Sequence, residues 1–404
     1  IRFCISAFNG WKTGLREKEK AGESMREKSR IILFLVLIFG LTIGSLLVKP
    51  KAFSEEENRY LAEKPEFSWK ALFEGSYTSD YESFITDQFI GRNQWIGWKT
   101  DVERLMLRQD INGVYFCQDN YLMEKHGTKT FESELAERNL TYLAGFVEKH
   151  LADFTSDHMQ VLLVPTASQV LKEKLPAFAA PYDQSRYVAK LNEQLPDGVL
   201  LDAEEVLREH KEDYIYYRTD HHWTALGAFY AYQEWCERTG LEAFGAEDFE
   251  IEEAATDFAG TLDSKVNTTV KKDSIYLYHW KQEKEKREYT LTYDQSEDVR
   301  DTLYDRTALE GKDKYSVYLG GNYGEVDIRT NVSNGKTLLV IKDSFAHSFV
   351  PLAVNHYERV LMVDLRYFHV ALSEYIKENR VTDILVLYNL ANLATDRNLG
   401  KLIR

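Results

Sequence analysis

Residues 31–48 form one uncharged apolar segment, IILFLVLIFGLTIGSLLV, in a chain of 404 residues. At about 1.5 Å per residue, a helix over this segment nearly spans a hydrocarbon core of about 30 Å. Arg26, Lys28 and Arg30 precede it, and such basic residues favour the cytoplasmic side of a membrane helix. No small-x-small cleavage site and no lipobox cysteine follow it. We therefore predict an uncleaved signal anchor over residues 25–48, with the C-terminal bulk outside the cytoplasm; a cleaved signal peptide is the alternative.

The anchor divides the chain into regions of different character. The chain begins with Ile1, whereas Met25 stands directly before the basic, signal-like stretch, so we interpret residues 1–24 as a non-native leader. Residues 49–112 are predicted to form a juxtamembrane helical region, with helices over Tyr81–Arg92 and Trp95–Leu107 because apolar residues recur there at helical spacing. Residues 113–404 are predicted to form the main folded domain.

Charge and cysteine content argue against two kinds of site. The formal net charge is −15, which argues against nucleic-acid binding because a phosphate-binding surface needs an excess of Lys and Arg. The three cysteines, Cys4, Cys117 and Cys236, have no CxxC or repeated Cys/His spacing, so a structural zinc site is not expected. Buried free thiols are favoured over a Cys117–Cys236 disulfide, which the sequence leaves open.

Strand-like apolar runs alternate with helical patterns through the main domain. Strands are predicted at Met159–Val164, Val199–Leu201, Leu338–Ile341, Val360–Val363 and Ile384–Tyr388, and helices at Phe131–Phe154, Gln184–Gln194, Ala203–His210, Thr224–Thr239, Phe345–Tyr357 and Val370–Asn379. This alternation indicates an α/β fold with a parallel sheet flanked by helices. A hairpin is predicted at Val114–Cys117 and Tyr121–Met123. Residues 241–334 are polar and rich in Tyr and Thr, and are predicted to be a β-rich insertion that could shape a substrate groove.

Candidate catalytic residues lie where parallel strands end, because functional groups gather beyond those carboxyl ends. Ser344 follows the strand Leu338–Lys342, and a serine at a strand-to-helix turn can project its hydroxyl while backbone N–H groups hold an oxyanion. The alternative for Ser344 is a helix N-cap. Asp220 and His222 supply an orienting acid and a base, since residues two apart in an extended stretch point to the same side. The alternatives for the Asp-His-His run are a polar cluster at a helix start and a metal site; we predict no metal.

Two short motifs resemble a known family. TDHHWT at 219–224, together with KDSF at 342–345, resembles the DHHW protein family of bacterial surface proteins, which is similar to the SGNH-hydrolase-like O-acetyltransferases that modify exopolysaccharides such as alginate. The likeness extends to Glu57-Asn58-Arg59 and Gly320-Gly321-Asn322. It departs from the SGNH pattern in two places. Lys342 replaces the glycine of the usual G-D-S block, and D-x-H lies upstream of the serine instead of D-x-x-H near the C-terminus.

The resemblance implies an SGNH-hydrolase-like fold and a set of residue roles. Ser344 would be the nucleophile, His222 the general base, Asp220 its orienting acid, and Asn389 an oxyanion-stabilising residue after a later strand. Asn389 could equally be a turn residue. His347, one helical turn after Ser344, is a rival base. Arg366 and Tyr217, with Tyr216, Arg218 and Tyr367, are predicted to line a groove where aromatic faces suit sugar rings, with core or rim packing as the alternative.

The function implied is an extracytoplasmic serine-type O-acyltransferase, with acetyl the expected group, that modifies a cell-surface or secreted polysaccharide. One membrane span cannot carry an acyl donor outward, so a multi-spanning acyl-transport partner is implied, and binding of acetyl-CoA or another cofactor is not. A carbohydrate esterase with the same three residues is the first alternative. A non-catalytic carbohydrate-binding or scaffold subunit of an export complex is the second.

Overall fold

The computed structural model describes residues 27–45, 47, 49–54, 59–268, 270–283 and 285–404. The predicted leader, residues 1–24, lies outside the described residues. The described chain divides into two compact units, one ending at Trp95 and the other beginning at Ile96. Cys117 and Cys236 are both free thiols, whereas Cys4 lies outside the described residues.

The first unit contains the apolar helix. Helix α1 (Glu27–Ser45) contains no buried residue, and among the described residues it is the one helix long and apolar enough to cross a membrane. The strands β1 (Phe53–Ser54) and β2 (Arg59–Tyr60) pair antiparallel, and the helices α2 (Trp69–Glu74), α3 (Ser76–Asp87) and the start of α4 (Arg92–Leu105) follow. Both predicted juxtamembrane helices are present as α3 and α4, but α3 begins five residues earlier because Gly75, with φ of 82°, ends α2 directly before it.

The second unit holds the remaining elements. In chain order they are β3 (Asp110–Ile111), β4 (Val114–Phe116), β5 (Leu122–Glu124), α5 (Thr128–Phe131), α6 (Glu134–His150), β6 (Met159–Val164), α7 (Ala167–Val170), α8 (Ser185–Asn192), β7 (Leu200–Asp202), α9 (Glu204–Glu209), α10 (Ala225–Thr239), β8 (Phe249–Phe258), α11 (Thr261–Val266), β9 (Asp273–Trp280), β10 (Tyr289–Tyr293), β11 (Val299–Arg300), β12 (Glu325–Thr330), β13 (Thr337–Lys342), α12 (Ala346–Ala353), β14 (Arg359–Val363), α13 (Leu372–Glu378), β15 (Asp383–Asn389) and α14 (Leu390–Thr395).

Eight strands form a central sheet in the order β11-β10-β12-β14-β13-β15-β6-β7. The five strands from β14 to β7 run parallel, and Val340 of β13 pairs with Met362 on one side and Leu385 on the other. Alternate residues of each strand face opposite layers, because side chains alternate along a strand. Leu338 and Val340 pack in one buried cluster and Leu339 and Ile341 in the other. The parallel α/β core predicted from the apolar runs is therefore confirmed.

The segment 241–334 differs in part from its prediction as an insertion. Its strands β8 and β9 pair only with each other, but β10, β11 and β12 join the central sheet and extend it antiparallel beyond β14. Half-burial explains why these strands are not obvious in the sequence: only alternate residues, such as Leu291 and Tyr293, are buried. The extension leaves the carboxyl ends of β13, β14 and β15 together at one edge of the sheet.

Candidate active site

Ser344 lies in the turn between β13 and α12, and the neighbouring Asp343 holds that turn in place. Asp343 Oδ1 accepts a hydrogen bond from the Phe345 backbone N–H (2.9 Å), and its Oδ2 accepts from the Asn389 backbone N–H and from Asn392 Nδ2, both at 2.8 Å. The α12 N-cap is Phe345, without a side-chain cap bond. Ser344 therefore does not cap the helix, and its Oγ lies 2.7 Å from Nε2 of His222.

Asp220 and His222 meet through a tight local turn. His222 Nδ1 donates to Asp220 Oδ1 (2.5 Å), and the same oxygen accepts the His222 backbone N–H (3.0 Å). The sequence prediction that these two side chains lie together is confirmed, but through this turn rather than through an extended strand. Both residues are buried, with exposed fractions of 2% and 5%. Ser344, His222 and Asp220 thus form a continuous hydrogen-bonded row across 125 residues of sequence.

The second carboxylate oxygen of Asp220 is held by a segment that the sequence analysis did not connect to the site. Asp220 Oδ2 accepts the backbone N–H of Thr261 (2.7 Å) and its hydroxyl (3.0 Å). Gly260, directly before it, approaches so closely that a Cβ there would lie 2.3 Å from the Asp220 Cβ. Gly260 has an ordinary φ of −84°, so lack of space, not backbone strain, calls for glycine. No signal in the polar segment 241–334 pointed to these contacts.

The charges around the row fix the protonation states. Burial raises the pKa of Asp220, but the two neighbouring histidines, His221 and His222, and the Thr261 N–H outweigh it and hold that pKa below its usual range. Burial, with the charge of His221, lowers the pKa of His222 to about 4 although Asp220 opposes the shift. His222 is therefore neutral at pH 7, and its Nδ1 proton is fixed by Asp220. Nε2 is left as an acceptor for the Ser344 hydroxyl proton.

The other residues of the TDHHWT motif hold the loop that carries the pair. The Thr219 backbone N–H (2.7 Å) and hydroxyl (2.6 Å) both donate to Asp273 at the start of β9. Trp223 Nε1 donates to the Phe345 carbonyl (3.0 Å), which links this loop to the Ser344 turn. The Thr224 hydroxyl accepts the Gly227 N–H and caps α10. The motif thus includes residues that position the pair as well as the pair itself.

Lys342 replaces the usual glycine and belongs to a buried ion-pair network. Its Nζ lies 3.3 Å from Asp364 Oδ2 and 2.7 Å from His347 Nε2, with both Lys342 and Asp364 side chains 1% exposed. Arg366 pairs with the same carboxylate at 2.8 and 2.5 Å and contacts Asn322 at 3.1 Å. Burial and the charge of Lys342 hold the pKa of His347 well below its usual value. His347, the alternative base, is hydrogen-bonded to Lys342, whereas His222 is hydrogen-bonded to Ser344.

The remaining predicted site residues have other contacts. Asn389 caps α14: its Oδ1 accepts the Ala391 N–H (3.0 Å) and its Nδ2 donates to the Val164 carbonyl (3.0 Å), which is the turn alternative.

Tyr217 is fully buried, so it packs beneath the site instead of lining a groove. Arg366 is exposed, with 38% of its side chain accessible, and it pairs with Asp364. Its contact with substrate stays a prediction. Asp220, His221 and His222 have potential ligand atoms within 4.8 Å of one another, but the hydrogen bonds of His222 match a Ser–His–Asp row.

Tyr315 is the largest contribution to the site that sequence reasoning missed. It comes from a 3-10 turn at Lys314–Val317 and is 4% exposed. Its ring stacks on that of His222, with centroids 3.9 Å apart and planes at 10°. Its hydroxyl donates to the Ser344 carbonyl (3.1 Å). Tyrosines are frequent throughout 241–334, so nothing in the sequence distinguished this one.

The fold, with these residues at the carboxyl edge of its sheet, defines an α/β protein of the SGNH-hydrolase-like class. The sequence profile of the DHHW protein family matches residues 187–363, a range that includes both motifs, and the predicted resemblance to that family is confirmed. A search of curated protein sequences found no match.

Solved structures agree on the fold. A DHHW family protein from Eubacterium siraeum is similar with a TM-score of 0.55 at 23% identity, over 72% of this chain and 95% of the other. PatB1 of Bacillus cereus is similar with a TM-score of 0.58 at 22% identity, over 70% of this chain and 97% of the other. A PatB1 structure with a sulfonyl adduct gives 0.57 at 22% identity, over 72% and 100%. At such identities the likeness establishes the fold.

Proposed function

We propose that the chain is a serine-type O-acyltransferase that acts outside the cytoplasm on a cell-surface or secreted polysaccharide. The observation that carries the proposal is the row in which His222 bonds Ser344 Oγ through Nε2 (2.7 Å) and Asp220 through Nδ1 (2.5 Å). A hydroxyl within reach of a neutral imidazole, itself oriented by a carboxylate, is the arrangement of an activated nucleophile. The resemblance to the DHHW family adds the expectation of acetyl transfer.

The chemistry proceeds in two half-reactions. Ser344 Oγ attacks the carbonyl carbon of the acyl donor while His222 Nε2 takes its proton, and Asp220 stabilises the resulting imidazolium. The leaving group departs with that proton, and the acyl group remains as a serine ester. A sugar hydroxyl then attacks the ester, His222 takes the hydroxyl proton, and the regenerated Ser344 alkoxide recovers it. Atoms and charge balance without any cofactor.

The tetrahedral oxyanion of each half-reaction needs hydrogen-bond donors. The backbone N–H of Ser344 bonds no acceptor among the described residues, and it lies at the strand-to-helix turn where such donors serve this role. We assign it as one oxyanion donor. Asn389 is the predicted second oxyanion donor. To act as one, its Nδ2 would have to break the hydrogen bond to the Val164 carbonyl or donate its other amide proton.

The acyl donor has to reach the site from elsewhere. Among the described residues α1 is the one membrane-compatible helix, and a single helix does not form a transport path for an acyl donor. A multi-spanning membrane partner that delivers the acyl group is therefore part of the proposal. The acyl transfer can be tested without this partner, because an activated ester in solution can supply the acyl group.

The test uses the full chain in detergent with p-nitrophenyl acetate, with and without oligosaccharide acceptors, and intact-mass and peptide mass spectrometry. We expect an acetyl group on Ser344 that moves to the sugar. Ser344→Ala removes the adduct, and His222→Ala lowers its rate of formation by roughly 10²–10⁴-fold, the range of general-base catalysis. Ser83→Ala, at an exposed helical serine, is the matched control and keeps the wild-type rate.

Other results would change the assignment. Acetyl released from Ser344 only to water, with every acceptor, favours the esterase. A folded protein that forms no adduct with the ester, or with a sulfonyl fluoride directed at activated hydroxyls, favours the non-catalytic carbohydrate-binding subunit.

A further inference from the structure

Tyr315 contacts both ends of the Ser344–His222 hydrogen bond. Its ring lies face to face with the His222 imidazole (centroids 3.9 Å apart, planes at 10°), and its hydroxyl donates to the Ser344 carbonyl oxygen at 3.1 Å. The same hydroxyl lies 3.3 Å from Ser348 Oγ, one turn along α12. Among the described tyrosines, Tyr315 alone both stacks on the His222 ring and hydrogen-bonds the Ser344 carbonyl.

We propose that Tyr315 is a positioning residue of the acyl transfer, holding the plane of His222 with its ring and the peptide of Ser344 with its hydroxyl. This proposal rests on the proposed function. His222 becomes a cation each time it takes the proton of Ser344 or of the acceptor. The negative face of an aromatic ring attracts a cation placed over it, so the stack favours the imidazolium while it blocks rotation of the ring away from Ser344.

The hydroxyl has a separate task. Burial holds the pKa of Tyr315 well above its usual value, so the side chain is a neutral hydrogen-bond donor at neutral pH. Its bond to the Ser344 carbonyl fixes that peptide from one side, while Asp343 fixes the Phe345 N–H that follows. The Ser344 hydroxyl then remains within reach of His222 without being the only link between the two loops.

The two contacts can be separated by substitution. Tyr315→Phe keeps the ring and removes the hydroxyl, whereas Tyr315→Leu keeps apolar bulk and removes both contacts. Tyr318 provides the matched controls, because it is equally buried, donates its hydroxyl to the Tyr276 carbonyl (2.6 Å) and touches the Tyr315 ring, with centroids 5.2 Å apart. Tyr318→Phe and Tyr318→Leu therefore report the loss of a buried tyrosine beside the site.

The measurement is the pH dependence of Ser344 acetylation by p-nitrophenyl acetate in the full chain, with folding followed by near-UV circular dichroism at each pH. The titratable groups that face His222 are Asp220, His221 and Tyr315, with Glu124 and His347 farther away. All except Tyr315 are unchanged in every variant. A shift found only in Tyr315→Leu therefore belongs to the ring.

We expect Tyr315→Phe to keep the acid limb of the profile and to lower the plateau rate by roughly 3–10-fold, as for one lost hydrogen bond. Tyr315→Leu lowers the plateau further and moves the acid limb to lower pH by about 0.5–1 unit, because the imidazolium loses its aromatic partner. Both Tyr318 variants keep the wild-type limb even if they unfold at lower temperature. If Tyr315→Phe restores the acid limb that Tyr315→Leu shifts, the shift is caused by loss of the ring contact with His222.

Two results would overturn the proposal. One is a folded Tyr315→Leu protein with the wild-type limb and plateau. The other is a Tyr318→Leu protein that shows the same shift as Tyr315→Leu. Failure of the proposed function looks different: the wild-type chain would then release acetyl from Ser344 only to water, or would form no Ser344 adduct at all. In that case an NMR titration of the histidine ring, assigned with His222→Gln, still shows whether Tyr315→Leu lowers the pKa of His222.

Discussion

At the scale of single residues, the behaviour of His222 follows from what surrounds it. Burial removes water from the ring and His221 adds a like charge, and together they lower its pKa to about 4. A base with so low a pKa is unprotonated at neutral pH, at the cost of a weaker pull on the serine proton. Asp220 and Tyr315 offset part of that cost by stabilising the imidazolium when it forms.

The pH dependence of acylation is therefore predictable in sign. In the proposed mechanism neutral His222 is the active form, so kcat/KM should be flat above about pH 5.5 and fall at lower pH through a midpoint near the pKa of about 4. His221→Gln removes the like charge and should move that midpoint to higher pH, the opposite direction from Tyr315→Leu. Stopped-flow acylation with p-nitrophenyl acetate measures both. An unchanged midpoint in a folded His221→Gln protein would rule out the electrostatic explanation.

The three members of the row were predictable because each sits in a compact motif. Asp220 and His222 are two residues apart in sequence, and Ser344 closely follows a buried apolar strand. Thr261 and Tyr315 were not predictable, because they reach the site only through tertiary packing. They come from positions 41 and 93 residues after Asp220 or His222, in a segment where neither residue type is unusual.

At the scale of elements, the start of α11 lies very close to the loop that carries Asp220 and His222. Gly260 precedes α11, and a Cβ there would lie 2.3 Å from both Cβ and Oδ2 of Asp220. Gly260→Ala must therefore displace either the helix start or the carboxylate. We expect a loss of about 1–3 kcal/mol in the free energy of unfolding, as for other overpacked sites, and an acylation rate lower by roughly 10²-fold or more.

Gly311→Ala is the matched control for that substitution. The nearest atom to a Cβ at Gly311 is the Ala308 carbonyl oxygen at 3.7 Å, an ordinary contact distance. Urea denaturation and the rate of Ser344 acetylation should both stay near wild type in this variant. A Gly260→Ala protein that acylates at the wild-type rate would show that the carboxylate has room to move without consequence.

Some strands of the central sheet are predictable from sequence patterns and others are not. β6, β13, β14 and β15 are continuous apolar runs, buried on both faces, and their predicted bounds match the structure within one residue at each end. β10 and β12 bury only part of their residues, and their other side chains are polar. Such strands resemble loops in sequence, because tertiary pairing decides where they lie: β12 pairs with β14, and β10 pairs with β12.

At the scale of the whole molecule, the sidedness of the main domain determines which polymers it can meet. Arg26, Lys28 and Arg30 precede the apolar helix, which favours a cytoplasmic N-terminus. A C-terminal epitope tag should then be cut by protease added to intact spheroplasts, while a cytoplasmic marker stays whole. A tag that is protected until the cells are lysed would place the domain inside and contradict an extracytoplasmic function.

The two edges of the central sheet bear on whether the protein self-associates at high concentration. The outermost strands, β11 and β7, contain only two and three residues. A long edge strand presents a row of unpaired N–H and C=O groups with which a strand of another chain can pair. Short edge strands leave few such groups available. An eight-stranded sheet with such short outermost strands is expected to resist edge-to-edge association with other copies of the chain, even at high protein concentration.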